Sequence, residues 1–470
     1  MARLVVIGGG AAGMSAASAA RRTAPDMEVL ACEAGGFAAY GMCGIPYFLG
    51  GVVREAESLL AYPPQEFREQ RGIDLRLNTR ASHLDPDAHQ VRVTSGGDTE
   101  AVGYDALVFA AGAQPVRPPV PGLDHERVFT VRSLDEAIRL RRLLDSGAVH
   151  RAVVVGAGYI GLETAEALVC AGVDVQVVEA LPNVLGGTVD APAADLAAAE
   201  VARHADLRLG ARLDAVLPRG DGVSAVINGE PADTDLLIIA AGVRPQTSLL
   251  TGAGAARLPD GSLTVDSSMR TSLPDVFAAG DCVALTHLVL GRPAWVPLGP
   301  AANKTGRVAG TVAAGGAASF GGVVGTAVVK VFGLEVARTG LGLTEARAAG
   351  LRAEATDVTS RSRAKYYPGS SPLHVRLVHE PAGRLLGGQV VGQEGAAKRI
   401  DVLATALHAG FTVDQVSALD LSYAPPFAPV YDPVLVAAGH ATRSLPATGG
   451  EAGTAQHRPG TATAITGGSS

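Results

Sequence analysis

Cysteine is scarce in this 470-residue chain: there are four, Cys32, Cys43, Cys170 and Cys282, and no two form a C-x-x-C pair. That excludes a disulfide framework and a zinc site, so a special cysteine must work alone. Clustered positive charge is also missing. The net charge is −7 and no run of five Lys or Arg occurs, so neither nucleic acid nor an anionic membrane surface is expected as a partner. Residues 308–329 carry no charge and are long enough to span a bilayer, but six are glycine and none is Leu or Ile. They read as a buried Gly/Ala helix and strand. The N-terminal MARLVVIGGG enters a strand and a glycine turn without the apolar stretch and cleavage site of a secretory leader, which gives the expectation of a cytoplasmic protein.

What is present is alternation. Short β-branched runs, RLVVI (3–7), EVLAC (28–32), ALVFA (106–110), AVVVG (152–156), DVQVV (174–178) and LLIIA (236–240), alternate with Ala-rich helical patterns. This predicts parallel sheets with crossover helices. After about residue 322 longer alternating strands appear, TAVVKVF (326–332) and LHVRLVH (373–379), with helices such as 395–409. From Arg443 the composition lacks aromatics and predicts a disordered tail. The fold class is therefore α/β, with two Rossmann-like (doubly wound) dinucleotide-binding domains, one inserted in the other, plus a C-terminal α+β domain. The expected boundaries are 1–115 and 245–321 for the first domain, 116–244 for the second, 322–442 for the third and 443–470 for the tail.

VVIGGGAAG sets Gly8, Gly10 and Gly13 in G-x-G-x-x-G between a strand and a helix over 11–22, where a pyrophosphate can approach the helix N-terminus. Glu33 follows 20 residues after Gly13, at the end of the next strand, placed for ribose hydroxyls. VVVGAGYIGLE repeats the pattern with Gly156, Gly158 and Gly161, and Glu179 ends the following strand. Two dinucleotides are implied. Glu179 would repel a 2′-phosphate and the following ALPNVL offers no Arg or Lys, which favours NADH over NADPH.

TSLPDVFAAGDC (271–282) places Asp281 at a strand terminus, where its carboxylate can accept from flavin ribityl hydroxyls. With the first fingerprint and AAGAQP (110–115), the chain resembles the flavin-dependent pyridine nucleotide-disulfide oxidoreductases over roughly residues 3–442. The resemblance implies FAD contacts at Ala11, Ala12, Ala111, Gly112, Pro297 and Leu298, and NAD(P)H contacts at Tyr159, Ile160 and Gly242. It also implies that Cys43, in AAYGMCGIPYFLGG, is the redox sulfur, favoured as a thiolate by the helix opening at Gly44 and Ile45. Cys32, Cys170 and Cys282 read as buried small hydrophobes. Dithiol relatives use C-x-x-x-x-C, whereas the fifth residue after Cys43 is Phe48. The sulfur must then cycle through a mixed disulfide or a sulfenic acid.

KYYPGSSPLHVRL (365–377), GQEGAAKRIDVLA (392–404) and LSYAPPFAPVYDPVL (421–435) look like the corresponding stretches of coenzyme A disulfide reductase. The resemblance implies a homodimer in which Tyr367 and Tyr423 reach the partner's cysteine and assist thiol release. It implies substrate contacts at Ser15, Arg22, Met42, Arg71, Asn303, Lys398, Arg399 and Tyr431, while Ala19, Ala39 and Met42 are apolar where relatives often have polar side chains. Peroxidase and oxidase relatives that use a cysteine sulfenic acid usually place a histidine in the first glycine turn, where this chain has Ala11-Ala12, and tend to lack the Pro46-Tyr47 pair. The expected function is NAD(P)H-dependent reduction of a small, coenzyme A-like disulfide through Cys43. The alternatives are an NADH oxidase or peroxidase working through a sulfenic acid, a persulfide or polysulfide reductase, and a flavin redox sensor; a missing rhodanese-like extension counts against persulfide.

Overall fold

The computed structural model describes residues 1–445. A five-stranded parallel sheet runs in the order Val276–Ala278, Ala106–Phe109, Arg3–Ile7, Glu28–Cys32, Ile73–Arg76. The strand Val276–Ala278 returns to this sheet after a second unit has been completed. That unit's parallel sheet runs Asp206–Leu209, Asp174–Glu179, Arg151–Val155, Leu236–Ile239, Val128–Phe129. Helices pack on one face of each sheet and a three-stranded antiparallel meander packs on the other, so the central strands are continuous apolar runs buried along nearly their whole length. Two antiparallel three-stranded meanders, Thr79–Gly103 and Leu213–Thr234, were not singled out in the sequence.

The first sheet's opening helix, Ala11–Thr23, packs along Gly299–Ala313. The contact is backbone to backbone: a Cβ at Gly306 would overlap the carbonyl of Ala12, and one at Gly310 that of Ala16. This close approach explains Gly310 of the charge-free segment, whose other five glycines lie in the stretch joining that helix to the strand Ala327–Val331.

The third unit is an antiparallel sheet in the order Ala327–Val331, Leu334–Gly340, Leu385–Gly392, Pro372–His379, Glu354–Arg361. Helices Ala396–His408 and Pro433–Ser444 pack against it. The second helix continues through Arg443 and Ser444, past the expected start of the tail; residues 446–470 lie outside the described residues. Polar contacts tie this unit to the second sheet's unit. The Asp190 carboxylate accepts from Gln389 Nε2 (2.9 Å) and Leu343 N (3.0 Å), and Glu166 accepts from Phe332 N (2.8 Å) and pairs with Lys330. Among the described residues no helix is long and apolar enough to cross a membrane.

Candidate functional site

The two glycine turns are built alike. Gly8 and Gly156 adopt φ of +108° and +107°, and a Cβ on either would overlap the carbonyl of Ala110 or Ala240 on the neighbouring strand. Gly13 and Gly161 press on the carbonyls of Gly8 and Gly156 and also leave no room for a Cβ. Gly10 and Gly158 differ: nothing lies within 4 Å of a Cβ built there. Each is the N-cap of its helix, Ala11–Thr23 or Tyr159–Cys170, with no side-chain cap. The free amides and the open space above them fit a pyrophosphate.

The strand-end acids are matched too. Glu33 accepts from Gly9 N (2.6 Å) and Gly35 N (2.7 Å), and Glu179 accepts from Ala157 N (2.7 Å) and Leu181 N (2.8 Å). These bonds fix each carboxylate beside its glycine turn while leaving lone pairs for ribose hydroxyls. Ala111 and Gly112 follow the strand beside Gly8, and Gly242 stands at the equivalent place in the second unit, accepting from Val116 N (2.9 Å).

Asp281 is carried to the first cradle by the Gly280 turn. A Cβ on Gly280 would crowd Ala12, and its amide donates to Thr305 Oγ1 (3.1 Å) on Gly299–Ala313. Trp295 Nε1 donates to the Asp281 carbonyl (2.7 Å). Pro297 and Leu298 lead into the same helix, Leu298 as its N-cap. These residues accordingly fit a flavin dinucleotide in the first unit and a nicotinamide dinucleotide in the second.

Cys43 lies in the 3-10 turn Met42–Gly44, which runs into Ile45–Leu49. The residue is exposed. Protein packed behind the sulfur pushes its thiol above the ordinary value, as do the carboxylates of Glu163 and Asp281, and Arg132 opposes them. The expected thiolate-favouring helix is only five residues long, and the thiol lies above its ordinary value. Cys32 and Cys282 are buried, their thiols raised to about 11 and about 12 by desolvation, and are inert. Cys170, expected to be buried, is exposed because it ends its helix.

Two residues near Cys43 were not selected from the sequence. Glu163 lies in the second fingerprint helix, two residues after Gly161, and burial, reinforced by Glu166, raises its carboxyl to about 7. Its place in G-Y-I-G-L-E was a usable signal. Arg132 was not recognisable locally. It donates to the Ala113 carbonyl through Nε (3.0 Å) and Nη2 (2.7 Å), contacts Met42 Sδ, and sends its field to Cys43 and Asp281.

The expected substrate residues divide. Ser15 and Asn303 meet across the packed helices, with Oγ to Oδ1 at 2.9 Å, and Arg22 is exposed in the last turn of Ala11–Thr23. Arg71 pairs with Glu66 (2.8 Å) and lies 3.8 Å over the Tyr62 ring. Lys398 is exposed beside Asp401 (3.1 Å). Arg399 turns inward and is 9% exposed; its donors go to Asp432, Ser362, Phe427 and Gly395. That placement departs from the expected substrate contact. Tyr423 and Tyr431 are 46% and 74% exposed. The Tyr423 phenol is set beside that of Tyr366, 76% exposed, which pushes it upward. Tyr367 instead carries Arg363 5.8 Å over its ring.

Residues 2–306 match the family described as pyridine nucleotide-disulphide oxidoreductase, and residues 326–433 match its dimerisation domain. The chain belongs to this family. Its members bind FAD and NAD(P)H, in agreement with the two cradles. A relative from Pyrococcus furiosus, named NAD(P)H sulfur oxidoreductase (CoA-dependent), is 38% identical over 437 residues, covering 93% of this chain and 98% of that protein. An NADH oxidase from Methanocaldococcus jannaschii is 32% identical over 445 residues, covering 94% and 99%. Among solved structures, a NAD-dependent persulfide reductase from A. fulgidus superposes with a TM-score of 0.90 at 38% identity, covering 94% of this chain and 83% of that one. The relative from P. furiosus is matched over nearly its full length, so that protein carries its sulfur oxidoreductase name without an added rhodanese-like domain.

Proposed function

We propose that the protein is an NADH-dependent reductase of sulfur–sulfur bonds carried on a coenzyme A-like thiol, acting as a homodimer. The observation that carries the reading is the exposed Cys43 beside Glu163, Arg132 and Asp281, with no second cysteine five residues on. Bound FAD would accept hydride from the nicotinamide and supply the electron pair that returns Cys43 to its reduced state. Gly10, Glu33, Gly112 and Asp281 would hold FAD, and Gly158, Glu179 and Gly242 the nicotinamide dinucleotide. The Glu179 carboxylate at the ribose position favours NADH over a 2′-phosphate.

The Cys43 thiolate attacks one sulfur of R–S–S–R, forming Cys43–S–S–R and breaking the substrate's bond. The departing R–S⁻ takes a proton from Tyr423 of the partner subunit, which solvent restores, and the electron pair that bound FAD would supply would split Cys43–S–S–R into the Cys43 thiolate and a second R–S⁻. Tyr366 stands beside Tyr423 and supports that hydroxyl; Tyr367 is the remaining tyrosine of the first stretch. Ser15 and Asn303, with Arg22 and Arg71 farther out, line the approach for the thiol carrier and its phosphates. Similarity to the P. furiosus protein favours a second substrate form, a coenzyme A persulfide or polysulfide, on which the same attack operates.

Mass spectrometry of the purified, non-reduced protein tests the reading. A thiol adduct of coenzyme A mass on Cys43, released by reductant, is expected. NADH oxidation that needs oxygen and ignores coenzyme A disulfide and persulfide would replace it with the oxidase alternative.

A further inference from the structure

We propose that Arg399 is a positioning residue for thiol release, clamping the loop that carries Tyr366 to the loop that carries Tyr423. This rests on the reading in which those phenols serve the partner's Cys43. One guanidinium spans both loops: Nη2 donates to the carbonyls of Ser362 (2.9 Å) and Phe427 (3.3 Å). Ser362 lies four residues before Tyr366, and Phe427 four residues after Tyr423. Nε donates to Asp432 Oδ2 (2.8 Å) and Nη1 to the Gly395 carbonyl (3.1 Å). Asp432 is anchored in turn, its Oδ1 accepting from Val434 N (3.0 Å) at the start of Pro433–Ser444. A single backbone bond, Ala364 N to Pro425 O (3.3 Å), joins the same two loops.

The site is fashioned around this side chain. Arg399 and Asp432 are both about nine-tenths buried, and Gly395 adopts φ +84° where a Cβ would collide with Nη1. A planar fork can address three carbonyls and a carboxylate at once. A lysine ammonium keeps the charge but cannot reach Ser362 and Phe427 together with Asp432. With the clamp loosened, the phenols lose their shared setting, whereas the flavin cradle, built from Gly8–Gly13, Glu33 and Asp281, is untouched.

The test is Arg399→Lys in the FAD-loaded dimer, with coenzyme A disulfide as the probe. Hydrogen exchange should accelerate in both 362–371 and 421–432 and stay unchanged in 8–16. Turnover should fall roughly tenfold or more, as a misplacement of about 1 Å can cause, while flavin reduction by NADH stays within about twofold. In the Tyr423→Phe background the substitution should slow turnover no further, because both remove the same contribution. Unchanged exchange in either segment, unchanged turnover, or additive losses would overturn the proposal. A wild-type enzyme inactive on coenzyme A disulfide would count against the functional reading, and the exchange comparison would then decide the clamp by itself. Should Arg399→Lys not give a folded dimer, Asp432→Asn, which removes the carboxylate charge that holds the guanidinium, is judged by the same outcomes.

Discussion

Replacing Gly10 and Gly158 by alanine, one at a time, separates the two cofactor cradles. Both glycines have negative φ, −76° and −80°, so alanine meets no backbone strain, and no protein atom lies within 4 Å of the added Cβ. The fold should lose no more than about 1 kcal/mol, the cost of alanine at an N-cap. The methyl group instead occupies the space over the helix amides where a pyrophosphate sits. Overpacking by one carbon costs about 1 to 3 kcal/mol, or roughly 5- to 150-fold in affinity. Gly10→Ala should therefore purify with depleted flavin and bind added FAD more weakly at nearly unchanged melting temperature. Gly158→Ala should stay yellow and show a raised requirement for NADH in flavin reduction. The flavin-to-protein absorbance ratio, FAD titration and stopped-flow reduction read all of these. A Gly10→Ala protein with stoichiometric FAD and unchanged affinity would refute the cradle assignment.

Cys43→Ser should retain FAD and lose reduction of coenzyme A disulfide, measured as NADH oxidation without oxygen; full turnover would sink the single-cysteine mechanism. Tyr423→Phe should lower disulfide turnover by about 10²-fold, the low end for a general acid, with flavin reduction by NADH unchanged, and Tyr367→Phe should do less. Glu163 holds its proton in the folded chain up to about pH 7, against an ordinary 4.5. Unfolded chains bind fewer protons between those values, so stability falls as pH rises through that window, by at most about 3 kcal/mol. Glu163→Gln should flatten this loss in melting curves from pH 5 to 8, and an unaltered curve would refute it.

Local signals were the legible ones. Strand, glycine turn, helix and acid fall within about 30 residues of one another, so both cradles could be read from spacing, whereas Cys43 was singled out by the resemblance of its motif to the family's. Arg132 could not: it reaches Cys43 and Asp281 only because the strand Ala113–Pro115 places a carbonyl under its guanidinium, a contact between distant stretches. The Lys398-Arg399 doublet was carried over from the resemblance as two substrate cations, and helical phase separates them. Ala396, Ile400, Leu403 and Leu407 form the buried stripe of their helix, and Arg399 lies on it whereas Lys398 does not. Tyr366 and Tyr367 are adjacent in sequence and both exposed, and only the loop's path sets one beside Tyr423 and the other under Arg363.

The reactivity of Cys43 is set by groups from three separate stretches of chain. Burial, Glu163 and Asp281 hold the thiol protonated, and Arg132 opposes them from a guanidinium fixed on the Ala113 carbonyl. Glu163 is itself neutral below about pH 7, where one of the two opposing carboxylates is silent; above it the new anion resists a second negative charge on sulfur. Cys43 therefore ionises beside a carboxyl whose own charge changes with pH. A pH profile of Cys43 alkylation in the wild type reports the pair, and the profile of Glu163→Gln, shifted toward lower pH, isolates the sulfur.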